Sequence, residues 1–351
     1  MLSIKRRVPL PTKIFLLDHL RVMLRAGLPI GRALESLAAD VERPAIGRML
    51  GEVKSAIERG GSLADALAAH PTLFPPLAVE LIRAGEHAGT LEATLTEVAT
   101  QLRKDHELRS RVQGALLYPA VIVGAMVVIG TGIIIFVLPK LLNLFRDVTV
   151  ALPLPTRLLL GFSTFMGAYG WIVAIVLVAL AIACVAFVRS ARGKILWHRL
   201  LVRFPGRMGV LIREVNIARI LRTLSGLLHT DIPIVRALEL TTATLGNVQY
   251  RATLRDASTR IARGESLGAI LRERKDLFPP TAVQVVAVGE ETGSLDELLG
   301  ELANFYEADV ERTLRNLTTI IEPILILTIG VGVAFLAIAV LMPMYSIAQA
   351  V

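Results

Sequence analysis

The sequence predicts an all-α, polytopic membrane protein: two duplicated cytoplasmic six-helix bundles and three transmembrane helices. Three observations carry that prediction. The first is a segment that occurs twice. Leu73-Phe74-Pro75-Pro76 followed by Gly85-Glu86-His87-Ala88-Gly89-Thr90-Leu91 returns as Leu277-Phe278-Pro279-Pro280 followed by Gly289-Glu290-Glu291-Thr292-Gly293-Ser294-Leu295. The offset is 204 residues without a gap, and 19 of the 43 positions from Ile57 to Ala99 are identical in the second copy. A unit of about 120 residues is therefore duplicated. The second is composition: 54% of the 351 residues are hydrophobic, 19% are charged and the mean hydropathy is +0.60, more apolar than the roughly 45–50% of a soluble domain. The third is a set of charge-free runs, Leu116 to Leu138, Ala168 to Val188 and Pro323 to Met344. At 1.5 Å per residue each is long enough for a hydrocarbon core of about 30 Å.

In chain order, residues 1–12 are a basic N-terminal arm with no apolar stretch ahead of a small-residue cleavage site, so no signal peptide is expected. Residues 13–115 form the first bundle. Leu17, Leu20, Leu24 and Leu28 keep helical spacing, with Gly27 and Pro29 marking a stop and a new start. Ile30 to Ala39 and Ala45 to Arg59 are the next two helices, the latter closed by Gly60-Gly61. Ser62 caps a short fourth helix, with Asp65 completing a capping box. Pro75-Pro76 opens a fifth helix that ends at the Gly85–Gly89 turn, and Thr90 caps a sixth that runs on into the first span. Period-2 runs and Asn-Gly hairpins are lacking.

Residues 116–139 are the first membrane helix. Tyr118-Pro119 stands where bundle meets membrane, and a proline there removes one backbone bond and kinks the helix. Pro139 ends the span. Residues 140–167 are an external loop carrying an interfacial piece, Arg157 to Gly167, that leads to the interface anchor Trp171. The second membrane helix is 168–188, followed by a basic cytoplasmic linker at 189–216 with a Pro205-Gly206 turn. The second bundle is 217–321, with Ser294 and Glu297 as a capping box. The third membrane helix is 322–345, opened by Glu322-Pro323, and 346–351 is an external C-terminus. Each copy ends in a helix that leaves the shared compartment. The second span is thus a return helix without a counterpart, and the repeats are parallel.

The net charge of +8 points to topology rather than nucleic acid. Arg103, Lys104, Arg109 and Arg111 precede the first span; Arg189, Arg192, Lys194, Arg199, Arg203 and Arg207 follow the second; Arg312 and Arg315 precede the third. Only Lys140, Arg146 and Arg157 lie between spans one and two. This asymmetry puts the N-terminus in the cytoplasm and the C-terminus outside, with basic residues free to meet anionic lipid.

Catalytic signatures are few. A phosphate loop and a His-Glu-x-x-His helix are lacking, and the single cysteine, Cys184, sits in the second span. Gly264-Glu265-Ser266-Leu267-Gly268 has the form of a nucleophile elbow but joins two helices, where Ser266 reads as an N-cap. No catalytic, cofactor or metal site is expected. The candidate interaction residues are Gly85, Glu86, Gly89, Gly289, Glu290, Glu291 and Gly293 in the repeated turns, with Tyr118, Pro119, Glu322 and Pro323 at the mouths of the spans. For Glu86 and Glu290 two readings stand: a carboxylate near the positive end of the following helix, or an exposed docking surface. Glu322 is either an interfacial carboxylate or a mark of a partner within the membrane.

At Leu277–Leu295, Glu322-Pro323 and the closing Pro343-Met344-Tyr345, the sequence resembles the GspF/PilC family, the inner-membrane platform proteins of type II secretion systems and type IV pili. The resemblance spans about residues 13–346. It implies a multi-pass bacterial inner-membrane protein without an enzymatic site, connecting a hexameric cytoplasmic assembly ATPase to pilin or pseudopilin subunits. Other inner-membrane assembly proteins, the membrane lipid and a second copy of the chain are further expected partners. Whether secretion, pilus or DNA uptake (competence) is served stays open. Copy one departs from copy two with His87-Ala88 for Glu291-Thr292 and Tyr118 for Glu322. The rival classes are a repeat-based membrane transporter, which requires polar or broken helices at the midplane, and a membrane-tethered signalling scaffold.

Overall fold

The structure, a computed structural model, describes residues 8–137, 154–204 and 206–348. Fourteen α-helices run through these residues. Copy one contributes α1 (Leu10–Arg25), α2 (Ile30–Asp40), α3 (Pro44–Glu58), α4 (Leu63–Ala68), α5 (Pro76–Ala88) and α6 (Leu91–Gly132), the last followed by a π-helical turn, Ile133–Val137. Then come α7 (Leu154–Arg189) and α8 (Ala191–Arg203). Copy two contributes α9 (Arg207–Leu228), α10 (Ile234–Thr244), α11 (Val248–Ile261), α12 (Leu267–Arg272), α13 (Pro280–Thr292) and α14 (Leu295–Ala348). Proline opens α3, α5 and α13 at their first turns, where a missing N–H costs nothing.

The chain divides into two compact units. The first, residues 1–111 and 198–312, holds both bundles. They are not independent: one continuous hydrophobic cluster runs from Leu17, Leu34, Leu67 and Ile82 of copy one to Ile217, Leu238, Leu267 and Leu299 of copy two. A fully buried leucine or isoleucine stabilises by about 1.5–3 kcal/mol, so this shared core dominates the unit. Gln101 Nε2 donates to Thr223 Oγ1 at 3.0 Å across the buried seam, and Arg236 of α10 reaches Glu80 of α5 at 3.2 Å.

The second unit, residues 112–197 and 313–351, contains the apolar spans. Three of its helical stretches are long and apolar enough to cross a membrane, in α6, α7 and α14. Their side chains face outward rather than into protein: Val128 is 72% exposed, Trp171 65% and Leu327 66%. Such surface is tolerable only in lipid or against partner helices. Thr156 Oγ1 donates to Ala339 O at 2.8 Å, joining the start of α7 to the end of α14, and Thr328 Oγ1 donates to Ile324 O at 2.7 Å within its own helix.

Several local expectations change. The fifth helix does not end at Gly85: it continues to Ala88, and only Gly89 adopts the left-handed conformation, φ 70°. The basic segment after the second span is helical rather than a linker, filled by α8 and the first turns of α9. It is interrupted at Ser190 and again at Phe204–Gly206, where Gly206 has φ 87° and Pro205 is outside the described residues. The interfacial piece from Arg157 to Gly167 is not separate, because α7 runs unbroken for 36 residues. Pro139, the loop from 140 to 153, the first seven residues and the last three lie outside the described residues.

Candidate functional site

The short helices α4 and α12 explain the repeated glutamates. A six-residue helix has almost as many unpaired N–H groups as paired ones, so its first turn needs acceptors. Ser62 Oγ accepts from Asp65 N at 3.1 Å. Glu86 supplies the rest, its two carboxylate oxygens accepting from Leu63 N at 2.7 Å and Ala64 N at 3.0 Å. Copy two repeats this: Ser266 Oγ takes Ala269 N at 3.2 Å, and Glu290 takes Leu267 N at 2.5 Å and Gly268 N at 2.7 Å. The carboxylate therefore serves the positive end of a helix 22–23 residues earlier, not the helix that follows it. Both glutamates are half-buried.

The glycines hold that geometry. Gly85 and Gly289 are buried and helical. A Cβ on Gly85 would fall 2.0 Å from Thr94 Oγ1, and one on Gly289 would fall 3.0 Å from Leu295 Cα, so each lets the next long helix approach. Gly89 and Gly293, φ 70° and 72°, turn the chain, and Thr90 N closes back on Gly85 O at 2.8 Å in a Schellman-type bond. Two capping boxes come out differently. Asp65 turns to Arg83 Nη1 at 2.6 Å, and the guanidinium holds its carboxyl below the ordinary value. Ser294 Oγ pairs with Thr292 Oγ1 at 2.6 Å instead of closing a box with Glu297.

The other candidates separate. Glu291, Gly89 and Gly293 are exposed beside the buried pairs, and Glu322, Pro323 and Tyr118 are exposed on the long helices, with Pro119 half-buried. Pro119 lies inside α6 and Pro323 inside α14, so the helices continue through both prolines. The structure thus gathers Gly85, Glu86 and Gly89 into one cap, gathers Gly289, Glu290 and Gly293 into its copy, and leaves the span-mouth residues apart.

One constellation escaped sequence reasoning. Asp18 of α1 pairs with Arg103 of α6, and Arg222 of α9 pairs with Glu307 of α14 in two parallel bonds of 2.9 and 3.0 Å. These are the same two positions displaced by 204, with the charges exchanged. The signal was present in the gapless internal alignment, as sign reversal at both partners.

Comparison with known proteins shows the same duplication. The profile of the family "Type II secretion system (T2SS), protein F" matches residues 16–139 and again 220–343. The chain is 33% identical over 329 residues to "Type IV pilus assembly protein PilC" of Myxococcus xanthus, covering 94% of this chain and 78% of the relative. It is 34% identical over 333 residues to the protein of that name in Thermus thermophilus, covering 94% and 80%. To "Type II secretion system protein F" of Pseudomonas aeruginosa it is 32% identical over 333 residues, covering 95% and 82%.

Proposed function

The chain belongs to the family of type II secretion system protein F, and from that premise we propose that it couples a hexameric cytoplasmic assembly ATPase to the addition of pilin or pseudopilin subunits. Membership makes it a multi-pass platform component of pilus or secretion machinery. The observation that supports coupling is continuity. In each copy one helix, α6 of 42 residues or α14 of 54, runs without a break from the bundle into an apolar span. Movement imposed on a bundle is carried along the helix axis into the part that meets subunits. On this reading the chain works mechanically and catalyses nothing. The exposed turn residues Gly89, Glu291 and Gly293 offer the docking surface, Glu86 and Glu290 hold that surface in shape, and the helix segments around Tyr118-Pro119 and Glu322-Pro323 face membrane partners.

The test is co-purification. The tagged full chain in detergent should retain the assembly ATPase of the same machine, and a Glu291→Lys variant should lose it while keeping its helical circular dichroism. Retention by the variant refutes the assigned surface. Reporter fusions at Ala151 and Gly193 should read outside and inside; the reverse pattern overturns the orientation, which rests on arginine placement.

A further inference from the structure

A cavity of about 400 Å³ opens where the two copies meet, lined by residues of α1, α5, α6, α9, α10 and α14. That is the size of a small-ligand site, and the seam between two repeats is a common place for one. Besides Lys13, which is engaged elsewhere, its walls carry four cations, Lys104, Arg109, Arg219 and Arg222, against two carboxylates, Asp105 and Glu307. Asp105 is shared between Arg109 at 2.7 Å and Arg219 at 3.1 Å, and Glu307 between Arg222 at 2.9 Å and Lys104 at 3.9 Å. Positive charge is therefore left over in a partly desolvated space, where an anion gains most. Arg219 shows the strain of that imbalance: with its side chain 19% exposed, burial holds its guanidinium below the ordinary range in spite of Asp105.

Two further observations point to a ligand rather than to packing. Gln101, 7% exposed, donates through Nε2 to Thr223 Oγ1, yet its buried Oε1 has no hydrogen-bond partner. A buried acceptor without a donor costs about 1–3 kcal/mol, which a donor group on a bound ligand would recover. The duplication then provides an internal control. The positions related by 204 residues to Lys13, Lys104, Arg109, Arg219 and Arg222 are Ile217, Ala308, Thr313, Phe15 and Asp18. The fold, built twice, needs a base at none of them.

We propose that this cavity binds a small organic phosphate: a phosphate head against the Arg109, Arg219, Arg222 and Lys104 group, an apolar body against Leu102 and Leu240, and a hydrogen-bond donor for Gln101 Oε1. Nucleoside phosphates have all three features, the base supplying the flat body and the exocyclic amine. The proposal is one of binding: the phosphate-loop sequence that positions a nucleotide for attack in one large class of hydrolases is lacking. Occupancy would brace copy one against copy two. The inference does not depend on coupling to an ATPase.

The test is isothermal titration of the purified full chain in detergent with ADP, with inorganic phosphate and lysophosphatidic acid as separate arms. Saturable binding of one ADP per chain is expected, with Kd on the order of 10–100 µM and at least about tenfold tighter than either other ligand. Lys104→Ala removes a half-buried cation and should weaken ADP about tenfold. Ala243→Trp fills the cavity from an exposed position without touching a charge and should abolish binding with the unfolding midpoint unchanged. Absence of saturable ADP binding, equal binding by Ala243→Trp, or a preference for lysophosphatidic acid would each overturn the assignment.

Discussion

Replacing Glu290 with alanine separates the two meanings a repeated glutamate can have. The substitution deletes both acceptors of the first turn of α12 and leaves Leu267 N and Gly268 N, 2.5 and 2.7 Å from the carboxylate in the native chain, without a partner. A hydrogen bond to a charged group contributes about 1.5–3 kcal/mol. Two such bonds, discounted because the half-buried site readmits water, give a loss of about 2–4 kcal/mol in the local stability of α12. Each 1.4 kcal/mol is a factor of ten, so amide exchange in peptides covering Leu267–Arg272 should accelerate by roughly 30- to 700-fold. Glu290→Gln keeps one acceptor oxygen and loses the charge, and should show about half the free-energy effect. Glu86→Ala should do the same to α4 in copy one. Exchange is the right assay because a chain with a membrane unit need not unfold in two states. Unchanged protection of α12 in Glu290→Ala, together with failed assembly in cells, would refute the capping explanation and restore Glu290 to the docking surface.

Three further outcomes are expected. Gly85→Ala places a methyl within 2.5 Å of Thr94 Cβ, which should cost roughly 1–3 kcal/mol; Thr94→Gly should rescue it in thermal unfolding, and Thr94→Ser should not. Arg222→Asp sets two carboxylates face to face and should destabilise the unit by roughly 2–4 kcal/mol, less than a fully buried pair because both side chains keep some solvent. The exchange Arg222→Asp with Glu307→Arg recreates the polarity of Asp18–Arg103 and should recover most of that loss; no recovery would show that the sign of the pair is immaterial. For Asp65 the hydrogen bond from Arg83 lowers the folded carboxyl pKa, so its contribution is present above the unfolded value and lost as pH falls through the folded one. Arg83→Ala should move the Asp65 titration upward in carboxyl-carbon NMR, and an unmoved titration would contradict the pairing.

What was legible in the sequence is what local chemistry determines. Uncharged runs of membrane length, Pro75-Pro76 and Pro279-Pro280 as helix starts, and Ser62 as an N-cap all announce themselves within a few residues. Gly85 was misread as a turn glycine because sequence cannot distinguish a glycine that bends the chain from one that admits a neighbouring helix. The difference is Thr94, which meets it only after α5 and α6 pack. The target of Glu86 was missed for the same reason: its partner amides lie 22 and 23 residues back and are brought near by the fold. Basic residues disguised α8 and the start of α9 as a linker, although arginine and lysine are good helix formers. The union of the two bundles left no mark at all in either copy alone, since Gln101, Thr223, Asp105 and Arg219 reveal their pairing only across the seam.

That union has an evolutionary cost. Because Leu34 and Ile82 belong to the same apolar interior as Ile217 and Leu238, parting the halves would bare apolar surface along the seam. A substitution deep in one half is answerable in the other, and selection now acts on the pair as one object.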